Sequence, residues 1–214
     1  MKIGILGSGD VGKKLGDGFI EAGHEVKIGT RDVQKLSDWA AKHGSRASVG
    51  SFSDAAAFGD IVVISTMWAG TKNAISMADP KNFAGKTVID TTNPLDFSSM
   101  PPTLAIGHTD SAGETIQRLL PDAKIVKAFN TVGNPHMVHP DFPGGTPTMF
   151  YCGNYEEAKK AVAGILTSFG WESIDLGGIE ASRLLEPLAM IWISYYFRTG
   201  TGDHAFKLLR KKSQ

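Results

Sequence analysis

The sequence contains a single cysteine, Cys152, among its 214 residues. An intrachain disulfide is therefore excluded, and a zinc site built from clustered cysteines is excluded with it. We expect a reducing, cytoplasmic environment and no metal site. Cys152 is predicted to be a small buried side chain and not a nucleophile.

Excess charge and long apolar runs are also missing. Lys plus Arg and Asp plus Glu both number 22, so the formal net charge is +0, which argues against a nucleic-acid or acidic-membrane surface. The one long apolar stretch, 187–197, is shorter than the roughly 20 residues that a membrane-spanning helix needs. We therefore expect no nucleic-acid partner and no membrane span, and we predict that 187–197 forms a buried helix or the face of a homodimer.

Glycine is abundant instead, with 25 of 214 residues. Apolar runs alternate with amphipathic helical patterns through the first two thirds of the chain, which is typical of βαβ units in an α/β fold. The predicted strands of this part are 2–6, 25–29, 47–49, 60–65, 86–91 and 123–129. We predict one domain over 1–214, with a Rossmann-type doubly wound parallel sheet in 1–133 and a small βαβ extension followed by C-terminal helices in 148–214.

Residues 7–12 read Gly-Ser-Gly-Asp-Val-Gly and lie between a predicted strand and a predicted helix. In that context G-x-G-x-x-G predicts a dinucleotide-binding turn, whose phosphates rest on the free N–H groups at the helix start. Gly7 permits the tight turn, Gly9 lets the pyrophosphate approach, and Gly12 lets the helix pack closely on the sheet. Asp10 is expected to point away from the phosphates. The predicted cofactor contacts here are Gly7, Ser8, Gly9, Asp10, Val11 and Gly12.

The end of the second predicted strand distinguishes NADP from NAD. Arg31 can form paired hydrogen bonds with a 2′-phosphate, Thr30 can donate its hydroxyl, and Lys35 adds positive charge. Asp32 has the spacing of an acid that binds the ribose 2′-OH of NAD, and Arg31 with Asp32 could also be a solvated pair. Because three groups suit a phosphate and one suits a ribose, we predict NADP.

Polar residues also follow the carboxyl ends of the later strands, where open α/β sheets bind ligands. Two long loops, 91–113 and 129–147, begin at the same edge and are expected to be functional. Trp68 and Asn130 are predicted to contact substrate, although Trp68 could be ordinary core and Asn130 a turn former, as could Asn93. The predicted cofactor contacts at these strand ends are Ser65, Thr66, Met67, Asn93, Pro94, Ala128 and Asn130.

A carbonyl or imine reductase would need a placed proton donor. His136, in the loop 129–147, is the candidate for such a substrate contact. Tyr155 and Lys159 have the spacing of a short-chain dehydrogenase pair, but they fall on a late helix that we expect to be remote from the nicotinamide. No catalytic acid or base is therefore predicted.

The strand-end set GSGDVG, GTRD, DTTNP and KAFNT, together with the late stretch ASRLLEPLAMIWI, resembles the NADP oxidoreductases that use the deazaflavin coenzyme F-420. It is also similar to the cytosolic domain of the six-transmembrane ferric reductases. The resemblance covers essentially the whole chain and is strongest over 4–35 and 86–134. It implies an NADP-binding Rossmann domain with Thr30, Arg31 and Lys35 in the phosphate pocket, and direct hydride exchange between nicotinamide and a stacked flavin-like ring.

Three functions are compatible with these observations. The main hypothesis is an NADPH-dependent oxidoreductase that exchanges hydride with a deazaflavin or flavin without a protein acid or base, since two stacked rings need orientation and exclusion of water. The second is an NADPH-dependent carbonyl or imine reductase. The third is a non-catalytic NADP(H)-sensing or partner-binding protein.

Overall fold

The computed structural model describes residues 1–211, so the last three residues of the predicted domain lie outside the described residues. An eight-stranded sheet forms the centre of the fold, and two further strands form a separate hairpin. The strands are β1 (Lys2–Leu6), β2 (Glu25–Gly29), β3 (Ala47–Gly50), β4 (Ile61–Ile64), β5 (Thr87–Asp90), β6 (Leu95–Asp96), β7 (Thr103–Leu104), β8 (Lys124–Lys127), β9 (Thr148–Gly153) and β10 (Glu172–Asp175).

Helices cover both faces of this sheet. The α-helices are α1 (Asp10–Glu21), α2 (Ser37–His43), α3 (Phe52–Phe58), α4 (Trp68–Met77), α5 (Ala112–Leu119), α6 (Glu156–Ser168) and α7 (Ser182–Thr199). Short 3-10 turns span Val33–Leu36, Gly44–Arg46, Pro80–Phe83, Asn134–His136 and Ile179–Ala181. Pro187 lies inside α7, and the helix continues past it.

The strand order is β10-β9-β8-β5-β4-β1-β2-β3. From β1 the chain builds outward through β2 and β3, then returns to pair β4 with the other side of β1 and continues to β5 and β8, all in parallel. This confirms the Rossmann-type doubly wound fold. In such sheets the ligand crevice lies at the strands' carboxyl ends, where the order reverses between β1 and β4.

The last two strands run in the opposite direction. β9 pairs antiparallel with β8 through Lys127 and Cys152, and β10 is parallel to β9. With α6 between them, β9 and β10 form the expected βαβ extension. Because their direction is reversed, the carboxyl end of β10 lies at the opposite edge from the carboxyl ends of the core strands.

Apolar side chains alternate between the two faces of the core strands, as the period of a strand requires. In β4, Ile61 and Val63 belong to a cluster that includes residues of α1, α2 and α6. Val62 and Ile64 belong to a second cluster with residues of α3, α4 and α5. The core therefore has two layers, one on each side of the sheet.

The segment 91–113, expected to be a loop, contains the hairpin of β6 and β7. The apolar stretch 187–197 lies within α7, whose Leu185 and Ala189 are buried while Ile191 and Tyr195 stay exposed. Within residues 1–211 no helix combines the length and the apolar character that crossing a bilayer requires.

Candidate functional site

The turn between β1 and α1 is built from two glycines that the surrounding backbone requires. Gly7 has φ of +126°, and a Cβ there would lie 2.7 Å from the carbonyl oxygen of Ser65. A Cβ on Gly12 would overlap the carbonyl oxygen of Gly7. These two positions therefore have the turn and packing roles that the motif predicts.

Gly9 is different, because nothing within residues 1–211 requires a glycine there. Its φ is −77°, which other residues adopt readily, and a Cβ would meet nothing within 4 Å. Gly9 is the N-cap of α1, and in the described part of the chain no side chain caps that helix, so its first N–H groups can bind an anion. A pyrophosphate would fill the space over Gly9.

Asp10 forms an ion pair with Lys13 at 3.0 Å and is 77% exposed.

A first cavity, of about 290 Å³, extends from this turn to the end of β2. It brings together Thr30, Arg31 and Lys35, and it is also lined by Ser8, Ser65, Thr66 and Met67. Thr30 is buried and donates its hydroxyl to Ser8 Oγ at 3.1 Å. Arg31 and Lys35 are exposed, and within residues 1–211 neither takes part in a salt bridge. Their charges are therefore available to a phosphate.

Asp32, the alternative ribose ligand, has a local structural role. Its Oδ1 accepts the N–H of Gln34 at 3.1 Å and caps the 3-10 turn Val33–Leu36. The residue still lines the first cavity, but one carboxylate oxygen is already used to hold the chain between β2 and α2. This arrangement favours Arg31 over Asp32 as the group that distinguishes the two dinucleotides.

A second cavity, of about 370 Å³, adjoins the first and shares Gly9, Ser65, Thr66 and Met67 with it. It lies at the ends of β4 and β5 and takes in Val11, Trp68 and Asn93 among the predicted residues. Trp68 is half-buried and also packs against the core cluster of α3, α4 and α5, so it is partly a core residue, and its contact with substrate stays a prediction.

Several residues of these cavities are absent from the sequence prediction. Phe97, 50% exposed in the hairpin, forms part of the wall of the second cavity, together with Leu95, Thr91, Thr92 and Asn134. Gly70 and Asn73 of α4 line the first cavity. An exposed aromatic residue in a long loop after a strand end is the signal that could have identified Phe97.

Among the predicted cofactor contacts Gly12 lines neither cavity, and the same holds for three residues from the strand ends, Asn130, Ala128 and Pro94. Asn130 is 5% exposed; it donates to Asn93 Oδ1 at 3.0 Å, and its carbonyl accepts from Asn93 Nδ2 at 2.8 Å. Ala128 is fully buried. Pro94 is buried, and its carbonyl accepts the N–H of Ala105 at 2.7 Å. Among these, Asn130 supports the site indirectly, by holding the side chain of Asn93.

His136 lies away from both cavities. Its Nε2 is 2.9 Å from Asp203 Oδ1, and its ring packs against Phe142 with centroids 4.8 Å apart. Neither cavity has His136 in its lining, so a role for it at the substrate stays a prediction that depends on movement of the loop.

The other candidate groups have structural explanations. Lys159 forms ion pairs with Asp175 at 2.8 Å and Glu156 at 2.6 Å, at the edge of the sheet opposite the cavities. Burial raises the pKa of the Cys152 thiol to about 11, so it stays protonated at neutral pH. Neither residue lines the two cavities.

Comparisons with known proteins agree with this geometry. Residues 2–94 match the family model for NADP oxidoreductase, coenzyme F420-dependent. The F420-dependent NADP reductase of Methanocaldococcus jannaschii is 31% identical over 218 residues, which cover 94% of this chain and 96% of that protein. The metalloreductase STEAP3 of Rattus norvegicus is 26% identical over 88% of this chain, but the match spans only 36% of that longer protein.

A solved structure is also similar. A protein of Arthrobacter sp. FB24, provisionally named an F420-dependent NADP reductase, superposes with a TM-score of 0.93 at 41% sequence identity. The superposition covers 98% of this chain and 100% of the other. The fold and the arrangement of its elements are therefore shared along nearly the whole chain.

The two kinds of glycine in the turn predict opposite effects of adding one methyl group. Gly12→Ala should lower the free energy of unfolding by about 1–3 kcal/mol, because the Cβ overlaps backbone. Gly9→Ala should change it by less than about 1 kcal/mol, yet weaken NADPH binding more than about tenfold. Denaturant unfolding and calorimetric titration measure the two quantities. Unchanged NADPH affinity in folded Gly9→Ala would contradict a pyrophosphate over this turn.

Proposed function

Because the chain belongs to the F420-dependent family of NADP oxidoreductases, we propose that it transfers hydride between NADP(H) and a deazaflavin of the F420 type. The chain is an NADP-dependent oxidoreductase; the hydride partner and the mechanism are the proposal. The observation that carries it is the pair of adjoining cavities: among residues 1–211, one ends in positive charge without an ion-pair partner and the other has no buried acid or base in its lining.

The first cavity suits the phosphate-bearing half of NADP. The pyrophosphate would rest over Gly9 on the uncapped start of α1. The 2′-phosphate would lie at the end of β2, between Arg31 and Lys35, with Thr30 behind them. Since these cations have no salt-bridge partner within residues 1–211, binding the phosphate breaks no existing ion pair there.

The second cavity suits a planar ring and hydride transfer. NADP, when bound, supplies the nicotinamide ring that carries the hydride. Thr92 and Asn93 provide fixed polar groups on one side of the cavity, and Trp68 and Phe97 provide apolar walls. The protein's contribution is then orientation and exclusion of water, which are what hydride exchange between two rings requires.

The ionisable side chains that line the second cavity support a reaction without a protein acid or base. Asp10 is the one ionisable side chain in its lining among the described residues, and it is solvent-exposed and paired with Lys13. A carbonyl or imine reductase would need a proton donor beside the substrate. His136, the candidate for that role, is held by Asp203 outside the cavity.

We further propose a homodimer built on α7. Leu184, Ile191 and Tyr195 are 67%, 61% and 51% exposed, and their spacing places them along one side of the helix. Exposed apolar stripes of this kind usually mark an interface, and a twofold axis would pair the same stripe on both copies.

The cofactor specificity is tested at Arg31. Arg31→Ala should weaken NADPH binding by about 1.5–3 kcal/mol, the value of a hydrogen bond to a charged group, and leave NADH binding nearly unchanged. Asp32→Asn is the matched control, since asparagine retains the capping oxygen, and it should change neither affinity by more than about 0.5 kcal/mol. Equal losses of NADPH and NADH affinity in Arg31→Ala would contradict the 2′-phosphate role.

The hydride partner is tested with a panel of acceptors. NADPH is mixed anaerobically with the protein and with coenzyme F420, FMN, FAD or riboflavin, and reduction of each acceptor is followed by its absorbance. We expect protein-dependent reduction of the deazaflavin. If no member of the panel is reduced, the proposed function fails. Sustained oxidation of NADPH by a ketone or imine, in place of these acceptors, would support the second hypothesis.

The dimer is tested by light scattering at micromolar concentration. The wild-type protein should have the mass of two chains, and Ile191→Lys should have the mass of one, because a buried unpaired charge disfavours the interface. Leu209→Lys, a change at a residue that is 81% exposed and lies outside α7, is the control and should stay dimeric. A monomeric wild-type protein would remove the proposal.

A further inference from the structure

Three charged side chains are buried together behind the second cavity. Lys127 at the end of β8 and Asp90 at the end of β5 are 0% exposed, and Glu186 on α7 is 1% exposed. Lys127 Nζ lies 2.8 Å from Asp90 Oδ2 and 3.0 Å from Glu186 Oε1, and it donates to the carbonyl oxygen of Thr92 at 2.7 Å. The contact with Thr92 is a hydrogen bond, and the two carboxylates are ion-pair partners of the ammonium group.

The cluster fixes a residue that lines the second cavity. The N–H and the hydroxyl of Thr92 both donate to Asp90 Oδ1, at 2.8 and 2.7 Å, and its carbonyl accepts from Lys127. Every backbone polar group of Thr92 is therefore bonded within the cluster. The next residue, Asn93, cannot shift along the cavity wall unless one of these buried hydrogen bonds breaks.

Glu186 connects the cluster to the helices. Its carboxylate accepts the N–H groups of Ala112 and Gly113 at 3.0 and 3.1 Å. These residues begin α5, where the helix dipole favours negative charge. The same carboxylate pairs with Lys127. The positions of α5 and α7 therefore both affect where the ammonium group lies.

A second connection runs from the neighbouring residue of α7. The carbonyl of Leu185 accepts from Asn130 Nδ2 at 3.0 Å, and the same amide donates to Asn93 Oδ1 at 3.0 Å. Two consecutive residues of α7 are thus linked to the cavity wall. Glu186 is linked through Lys127 to Thr92, and Leu185 is linked through Asn130 to Asn93.

The charges of this cluster are poorly explained by stability alone. Burying ions carries a desolvation penalty, and apolar side chains of similar volume often stabilise a protein as well or better. Burial acts to lower the pKa of Lys127, but Asp90 and Glu186 outweigh it and raise that pKa. The carboxylates therefore favour the charged form of Lys127, whose remaining polar contact is the carbonyl of Thr92 in the cavity wall.

We propose that Lys127 is a positioning residue for hydride transfer: it fixes the Thr92 carbonyl, and with it the backbone that leads into Asn93, in the wall that faces the nicotinamide ring. The inference rests on the proposed function, because it takes the second cavity to hold the nicotinamide. Lys127 acts through the cavity wall and has no contact with substrate itself.

The test needs a variant that folds. Lys127→Met alone leaves two buried carboxylates without a counter-charge, which is strongly destabilising. The informative variant therefore combines Asp90→Asn, Lys127→Met and Glu186→Gln, so that no buried charge is left unpaired while the Lys127 to Thr92 hydrogen bond is lost. Circular dichroism and thermal unfolding establish that it is folded.

A second buried lysine provides the matched control. Lys159 is 6% exposed and also pairs with two carboxylates, those of Asp175 and Glu156, but at the opposite edge of the sheet. The control variant combines Glu156→Gln, Lys159→Met and Asp175→Asn. It removes the same kinds of charge without touching the cavity wall.

Three quantities are compared in the two variants and the wild type: the NADPH dissociation constant, the fluorescence enhancement of the bound nicotinamide, and kcat with F420. The Lys127 variant should keep its NADPH affinity within about threefold, because the phosphate contacts are intact. It should lose the nicotinamide enhancement and about 100-fold in kcat, the effect of a small misplacement of reacting groups. The control should retain all three.

A folded Lys127 variant with wild-type nicotinamide fluorescence and wild-type kcat would overturn the inference. Equal losses of kcat in the control would also overturn it, since they would reflect a general loss of stability. If the wild type reduces no F420, the proposed function fails, but the fluorescence comparison still decides whether Lys127 orders the nicotinamide ring.

Discussion

The close contact between α1 and the turn after β1 is the constraint on which the rest of the site depends. Gly12 packs against the carbonyl of Gly7, and Gly7 against the carbonyl of Ser65. A larger residue at Gly12 would push α1 away from the turn, and one at Gly7 would push the turn away from Ser65. With the helix held so closely, its uncapped start lies at the edge where β1 and β4 end, and the two cavities meet there at Gly9.

The two cavities differ in the charge of the residues that line them. Positive charge lies at the far end of the first cavity, on Arg31 and Lys35, in a chain whose formal net charge is +0. The second cavity has mostly neutral walls, and the buried charges behind it are paired with one another and with the backbone. Binding energy would come from the phosphates, and the reacting ring would be held by a rigid wall.

Sequence reasoning identified the parts of this site that are encoded within a few neighbouring residues. The glycine spacing at 7–12 and the cluster of Thr30, Arg31 and Lys35 follow from one turn each, and the fold confirms the strand-to-helix context that gives them meaning. The NADP contacts themselves stay predictions. Local spacing also placed Asn130 at the site, but the structure places it one layer behind Asn93.

The remaining parts depend on contacts between distant residues. Glu186 meets Gly113 across 73 positions of the chain, and no local pattern marks a glutamate in α7 as a partner of Lys127. Phe97 lies at the second cavity because residues 95–96 pair with 103–104 in a hairpin. The sequence of this segment has no clear strand pattern and predicts a loop. The reversed direction of β9 and β10 likewise follows from pairing with β8 and not from their own pattern.

Direct hydride transfer can be followed with a label. NADPH carrying deuterium at both C4 positions is oxidised anaerobically by F420 in the presence of the protein, and the reduced deazaflavin is analysed by mass spectrometry. Carbon 5 of a deazaflavin does not exchange its hydrogen with water, so the account predicts one deuterium retained in the product. Reduced product without deuterium, or with the label released to solvent, would contradict transfer between the two rings.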